Sequence, residues 1–216
     1  MMVEQKLGRI RLSIPEEELL GHLQRYERLA LETGATHAAR LAAADVPVDE
    51  RVSLKCSIPK CFGYGTGANC PPHSLKPEET RRIVERYRWA LAFGIKIPPE
   101  VAVRNKATIQ PRVEAYKKIF EIASAVESAA FYDGHYLAVG FAAGSCKSTY
   151  CWDKPCAVLS GEKCRLALRA RPSMESVGID CYRIATQLCW EIYPLGSDAG
   201  AGCVPHGLLM GLVLVA

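Results

Sequence analysis

No run of about 18 consecutive apolar residues occurs in this chain, which excludes a membrane-spanning helix. The apolar end, His206 to Ala216, is too short for one and reads as a buried strand. Met1 to Lys6 carry charge, with no apolar stretch and small-residue cleavage site behind them, so the expectation is a cytoplasmic protein without an export signal. Basic runs are missing as well. Lys+Arg 27 against Asp+Glu 23 leaves +4, too mild an excess to argue nucleic-acid binding. Histidine is scarce, with 5 in 216 residues. There is no internal repeat beyond a loose similarity of two cysteine runs, and no low-complexity tract. No Ser-His-Asp order or paired carboxylates compel a hydrolase.

What the chain does have is cysteine, 10 in all. Seven fall into two runs: Cys56-x4-Cys61-x8-Cys70, followed by Pro71-Pro72, and Cys146-x4-Cys151-x4-Cys156-x7-Cys164. None lies between Cys70 and Cys146. A metal site gathers thiolates in this way, because several soft ligands must converge on one centre. In a reducing compartment clustered cysteines are metal ligands rather than paired disulfides.

The second run has four cysteines and suffices for one [4Fe-4S] cluster. The first has three, so a fourth ligand comes from Cys181, Cys189, Cys203, His73 or His206, or the position stays open for substrate or water. Gly63, Gly65 and Gly67 let the first loop close around a cluster. The same stretch lacks the Lys-Ser/Thr of a phosphate loop. Zinc is the alternative, but zinc sites favour x2 to x4 pairs, which the x8 gap fits poorly. Arg165, Arg169 and Arg171 follow Cys164, where cations would stabilise an anionic cluster; a solvated basic face explains them equally. Trp152 reads as a core anchor or a cluster shield. Asp180 and Glu175 read as acid–base groups or as helix caps beside Gly178.

The hydrophobic pattern gives alternating helices and strands. Helices are expected from Ser13-Ile14-Pro15-Glu16, with Ser13 as cap, to Gly34; from Pro77; over about 111–132; and over about 180–193. Strands are expected in the later half of 35–48, at Trp89 to Ile97, at His135 to Ala142 and at Gly207 to Val215. The fold class is therefore α/β or α+β: a single layered domain, 1–216, with a mixed sheet flanked by helices and cysteine-rich loops at 56–72 and 144–165.

Leu54-Lys55-Cys56, Cys61-x-x-Tyr64-Gly65 and Cys70-Pro71-Pro72 form one motif set; Gly144-x-Cys146, Cys164-Arg165, Ala170-Arg171-Pro172-Ser173-Met174-Glu175 and Gly178-Ile179-Asp180 form another. Together they resemble the DUF2284 family of predicted metal-binding proteins, over about Leu54 to Asp180. The resemblance implies a soluble, iron–sulfur-binding protein typical of anaerobes, with no general activity attached. Two features depart from the family pattern. Its second run opens nearer C-x2-C, and the residue after Gly-Ile-Asp is usually apolar where Cys181 stands here. The wider x4 gaps leave room for a larger or differently ligated cluster.

Three functions fit these residues. The first is an iron–sulfur protein with one or two clusters, serving electron transfer or cluster assembly and delivery to a redox or maturation partner. The second is a zinc-stabilised interaction module. The third is an enzyme whose open-site cluster lies at Cys56, Cys61 and Cys70. A homo-oligomer, or a place as subunit of a larger complex, would supply a missing ligand.

Overall fold

The computed structural model describes residues 9–103, 106–195 and 200–216. The Met1 to Lys6 segment read for an export signal lies outside them. Along the chain run α1 (Glu16–Glu32), β1 (His37–Ala42), α2 (Glu50–Ser57), α3 (Pro77–Val84), β2 (Trp89–Ile97), α4 (Pro99–Ala102), α5 (Ile109–Tyr132), β3 (Val139–Phe141), α6 (Cys146–Tyr150), α7 (Cys181–Gln187) and β4 (Gly207–Leu214). The strands form one sheet in the order β1-β2-β4-β3. Every ladder is antiparallel, so the fold is α+β, and the mixed sheet expected from alternating helices and strands does not form. Among the described residues no helix is long and apolar enough to cross a membrane.

The strands separate two apolar layers by their period of two. Leu91, Phe93 and Ile95 of β2 and Val213 of β4 face α1 and α5, where Leu19, Leu23, Tyr26, Phe120, Ala123 and Val126 cover them. Ala90 and Ala92 of β2 and Met210, Leu212 and Leu214 of β4 face a second layer built from Met174, Val177, Ile179 and Ile184. Helix α1 repeats its apolar residues at helical spacing and stops at Gly34. There a φ of 114° lets the Gly34 and Ala35 amides return to the carbonyls of Leu31 and Ala30.

β2 runs exactly over the WALAFGIKI stretch, and β4 ends one residue short of the expected Val215. Other boundaries move for identifiable reasons. Pro15, not Ser13, caps α1, and no side chain bonds the helix end. The strand expected in the later half of 35–48 lies in its earlier half, pinned by pairing from His37↔Gly94 to Ala42↔Trp89. Val52 to Leu54, which lead into the first cysteine, lie in α2, because the Asp49 side chain accepts the Arg51 amide at 2.8 Å and caps a helix. The strand expected from His135 shrinks to Val139–Phe141, since His135 turns inward. Helix α7 ends at Gln187, just before Cys189 takes a φ of 56°.

His135 meets His22 of α1 in the core, with Nδ1 of His22 2.8 Å from Nε2 of His135 and both rings buried. Burial first, then the charges of His22 and Arg11, bring His135 down to about 4 against the opposing pull of the Asp133 and Glu18 carboxylates; burial and Arg25 lower His22. The unfolded chain therefore takes up these protons more readily than the folded one. Stability from this pair is complete above the ordinary value of 6.5 and is lost as pH falls from there toward 4. Urea titrations should show a loss on the order of 3 kcal/mol between pH 7 and pH 4, flattened in His135→Gln. An unchanged slope in that variant counts against the pair as the source.

Gly144 joins β3 to the second cysteine run at a φ of 69°, and a Cβ there would sit 2.6 Å from the Tyr116 ring of α5. Gly144→Ala should therefore cost about 2 kcal/mol or more, read as a lower urea midpoint, and should disturb Cys146 two residues on.

Candidate metal centre

The two cysteine runs, 76 residues apart between Cys70 and Cys146, are brought into direct contact. Cys70 Sγ lies 3.3 Å from Ser145 Oγ, and Asn69 Nδ2 donates to Cys146 Sγ at 3.6 Å. The Ala68 amide bears on the Cys156 thiol and lowers its pKa. At Gly67 a Cβ would stand 3.1 Å from that of Lys147, so the glycine permits the close approach of the loops. At Gly65, a φ of 74° turns the chain so that its amide reaches Pro71 O at 2.8 Å. Cysteines are not confined to loops: Cys56 ends α2 and Cys146 opens α6.

The thiols sort into two adjoining pockets. Cys146, Cys151, Cys156 and Cys164 line one, together with Tyr150, Ala157, Leu166 and Arg165. Cys56, Cys61 and Cys70 line the other, a cavity of about 410 Å³ that also meets Cys181, Glu175, Ser145, Tyr116 and Arg112. All ten cysteines are free thiols.

The four-thiol pocket has the chemistry of an anionic centre. Its wall is largely apolar. Among the described residues the buried Tyr150 hydroxyl has no hydrogen-bond partner, while the neighbouring Arg169 donates to Glu121 at 3.3 Å. Such an orphaned donor fits a thiolate- or sulfide-bearing group. Burial raises the Cys156 thiol, but the amides of Ala68, Leu159 and Val158, with the charge of Lys147, outweigh it and leave the thiol below its ordinary value. Burial pushes Cys146 up to about 11 despite the Asn69 bond. In the other pocket burial, then Cys61 and Glu175, pushes Cys56 up to about 11, and burial raises Cys70.

Among the described residues no three His, Cys, Asp or Glu side chains converge closely enough to hold a single ion. Tetrahedral zinc at Zn–S of about 2.3 Å needs sulfurs within roughly 4 Å of one another.

Of the candidate fourth ligands, only Cys181 lines the three-thiol cavity. It is buried, and its thiol lies 3.8 Å from Glu175 Oε1. Burial, then the charges of Glu175 and Asp180, raises it strongly. Cys189 and Cys203 are exposed and line neither pocket. His73 is exposed; His206 is buried, with Nε2 3.3 Å from Glu191 O and its ring against Tyr193. Arg165 lines the four-thiol pocket and donates to Pro155 O at 2.8 Å. Arg171 is committed elsewhere: it grips Glu127 with two bonds of 2.8 and 2.7 Å and donates to the carbonyls of Ala167 and Ala170. That pair ties the end of the second run to α5. Trp152 is not a core anchor, being 78% exposed between Cys151 and Cys156. Asp180 caps α7 by accepting the Arg183 amide at 3.0 Å. Glu175 does not cap; it stands at the cavity wall, and burial raises it above the usual carboxylate range.

Sequence reasoning passes over Tyr150, Asn69 and Arg112, and reads Tyr116 as part of the core stripe of its helix rather than as a site residue. Asn69 and Tyr150 are each next to a cysteine, a signal that was available. Tyr116 and Arg112 lie in α5, where only the fold brings them to the cysteines.

No curated relative and no solved structure matches the chain. A family model, described as that of predicted metal-binding proteins, matches residues 39–215. The match takes in both cysteine runs, both pockets and nearly all of the sheet, and on that span the chain belongs to the DUF2284 family of predicted metal-binding proteins.

Proposed function

We propose that this chain is a cytoplasmic iron–sulfur protein with two adjoining centres that serves electron transfer. The observation that carries the reading is the contact of the two thiol pockets through Cys70, Ser145 and Cys146. Cys146, Cys151, Cys156 and Cys164 would hold one [4Fe-4S] cluster, and Cys56, Cys61 and Cys70 would hold the second. Such clusters supply one-electron chemistry at low potential. The chain's own part is to keep the four-thiol pocket dry, to donate amides to Cys156 and to set the two centres side by side. Thiols spread around pockets, rather than focused on one ion, support a cluster over zinc.

A second reading, an enzyme with an open-site cluster, is favoured by one specific feature. The three-thiol pocket opens into a cavity with Arg112, Tyr116 and Glu175 on its wall, which a pure electron relay does not require.

The partner's chemistry follows from charge. Segments 51–77 and 145–171, which carry all seven clustered cysteines, hold ten Lys or Arg against two acids, Asp153 and Glu162. The remaining chain holds 17 against 21. Within these segments Phe62 is 61% exposed, Ile58 66% and Trp152 78%. An acidic redox protein fits such a surface.

Protein purified without oxygen should contain about eight irons and eight acid-labile sulfides and give a reducible paramagnetic signal. Cys146→Ser should remove about half of the iron, and Cys70→Ser the other half. Stoichiometric zinc without sulfide would overturn the reading.

Reduction by an acidic ferredoxin, followed by stopped flow, should slow with rising salt. Trp152→Ala should weaken that encounter about tenfold while leaving the visible spectrum unchanged.

A further inference from the structure

The three-thiol cavity contains a cation prepared for a ligand. Arg112 is part-buried on α5 and is fixed from behind: Nε donates to Val101 O at 3.0 Å, and Nη2 to Val103 O at 2.6 Å and to Thr108 Oγ1 at 3.1 Å. These acceptors are neutral. Among the described residues no carboxylate pairs with it, whereas Arg171, which also grips two carbonyls, is neutralised by Glu127. Glu175 is the carboxylate that shares the cavity wall. It is not within ion-pair distance of Arg112, and its Oε1 takes the Cys181 thiol instead.

Arg112 also lines a second cavity, of about 390 Å³, together with Tyr182, Tyr193, Ile192 and Val101. Arg112, Tyr116, Glu175, Cys181, Leu208 and Leu209 are common to both cavities. The guanidinium thus sits on the wall between this second space, bordered by Tyr182 and Tyr193, and the three-thiol cavity, whose own lining is mainly apolar.

Among the described residues this partly buried guanidinium, held rigid by neutral oxygens, has no counter-charge, and its planar fork matches a carboxylate. Apolar walls around it strengthen that bond and select an apolar body for the ligand. We propose that this cavity binds a small organic carboxylate with an apolar or aromatic body, anchored by Arg112 beside Cys56, Cys61 and Cys70. The inference rests on the open-site reading for its location next to a centre, and on Arg112 for its ligand class.

The test is titration calorimetry on the anaerobically purified holoprotein with 3-phenylpropionate and with its neutral twin 3-phenylpropionamide. Iron and sulfide are measured on the same sample. The carboxylate should bind at least tenfold tighter than the amide. Arg112→Met should abolish the preference, with far-ultraviolet circular dichroism checking that α5 survives losing its grip on Val101 and Val103. Because the comparison of acid with amide is made on the unmutated protein, misfolding of the variant does not decide the result. Leu209→Trp, which fills the cavity without touching the Arg112 bonds, should abolish binding of both. Equal binding of acid and amide, or of neither, overturns the proposal. If the carboxylate binds to protein that carries no iron or sulfide, the site stands and the iron–sulfur reading falls. If clusters are present and the carboxylate preference is absent, the site falls alone.

Discussion

The contact between the Asn69-Cys70 turn and the Ser145-Cys146 step is the constraint on which the candidate site depends. Cys70 leans on Ser145, Asn69 on Cys146, and the Ala68 amide on Cys156. Each of these joins one cysteine run to the other. Without them there would be two separate loops, each with too little apolar surface to stay ordered. The sheet supplies the contact at a distance. β3 pairs with β4 through Val139↔Leu214 to Phe141↔Leu212, which fixes where the chain leaves the sheet. Gly144, two residues before Cys146, then makes the turn that no side chain could share with the Tyr116 ring. Arg171 and Glu127 close the far end of the run against α5.

The legibility of the sequence follows physical lines. β2 and β4 are central in the sheet, and their apolar residues are buried on both faces, so composition alone marks them. Edge elements read less well. β1 lies at one edge, and its placement in His37–Ala42 depends on the register with β2, a long-range term that local propensity does not contain. The cysteine spacings announced two groups of thiols, and the cysteines of each group line one pocket. Spacing could not say that the groups touch. Nor could it say which lone cysteine joins them: Cys181 reaches the three-thiol cavity because Asp180 starts α7 there, whereas Cys189 and Cys203 stay outside.

Trp152 shows the limit of residue-type reasoning. A tryptophan in a short loop is usually buried, yet this one is exposed beside a pocket whose walls are already filled by Tyr150, Ala157 and Leu166. Arg171 shows the reverse case. Its position after the cysteines suggested a cation for an anionic centre, but burial beside Glu127 assigns it to the fold. A part-buried charge pair with carbonyls on its remaining donors leaves little potential for a neighbouring site.

The protonation of the thiols connects the fold to its cargo. Cys56 and Cys146 are pushed up to about 11 by burial, so near neutral pH these two thiols are protonated before a metal binds. A metal centre needs thiolates and must displace those protons on binding. Uptake therefore strengthens as pH rises, and the centre, once formed, stabilises the fold in proportion to its affinity. Cys156 is the exception, since three backbone amides and Lys147 already favour its thiolate. Its amide donors come from both runs, Ala68 from one and Val158 and Leu159 from the other. The thiol best prepared to ligate is thus the one whose preparation requires the two loops to be docked, and the docked pair of loops is the state that ligation stabilises.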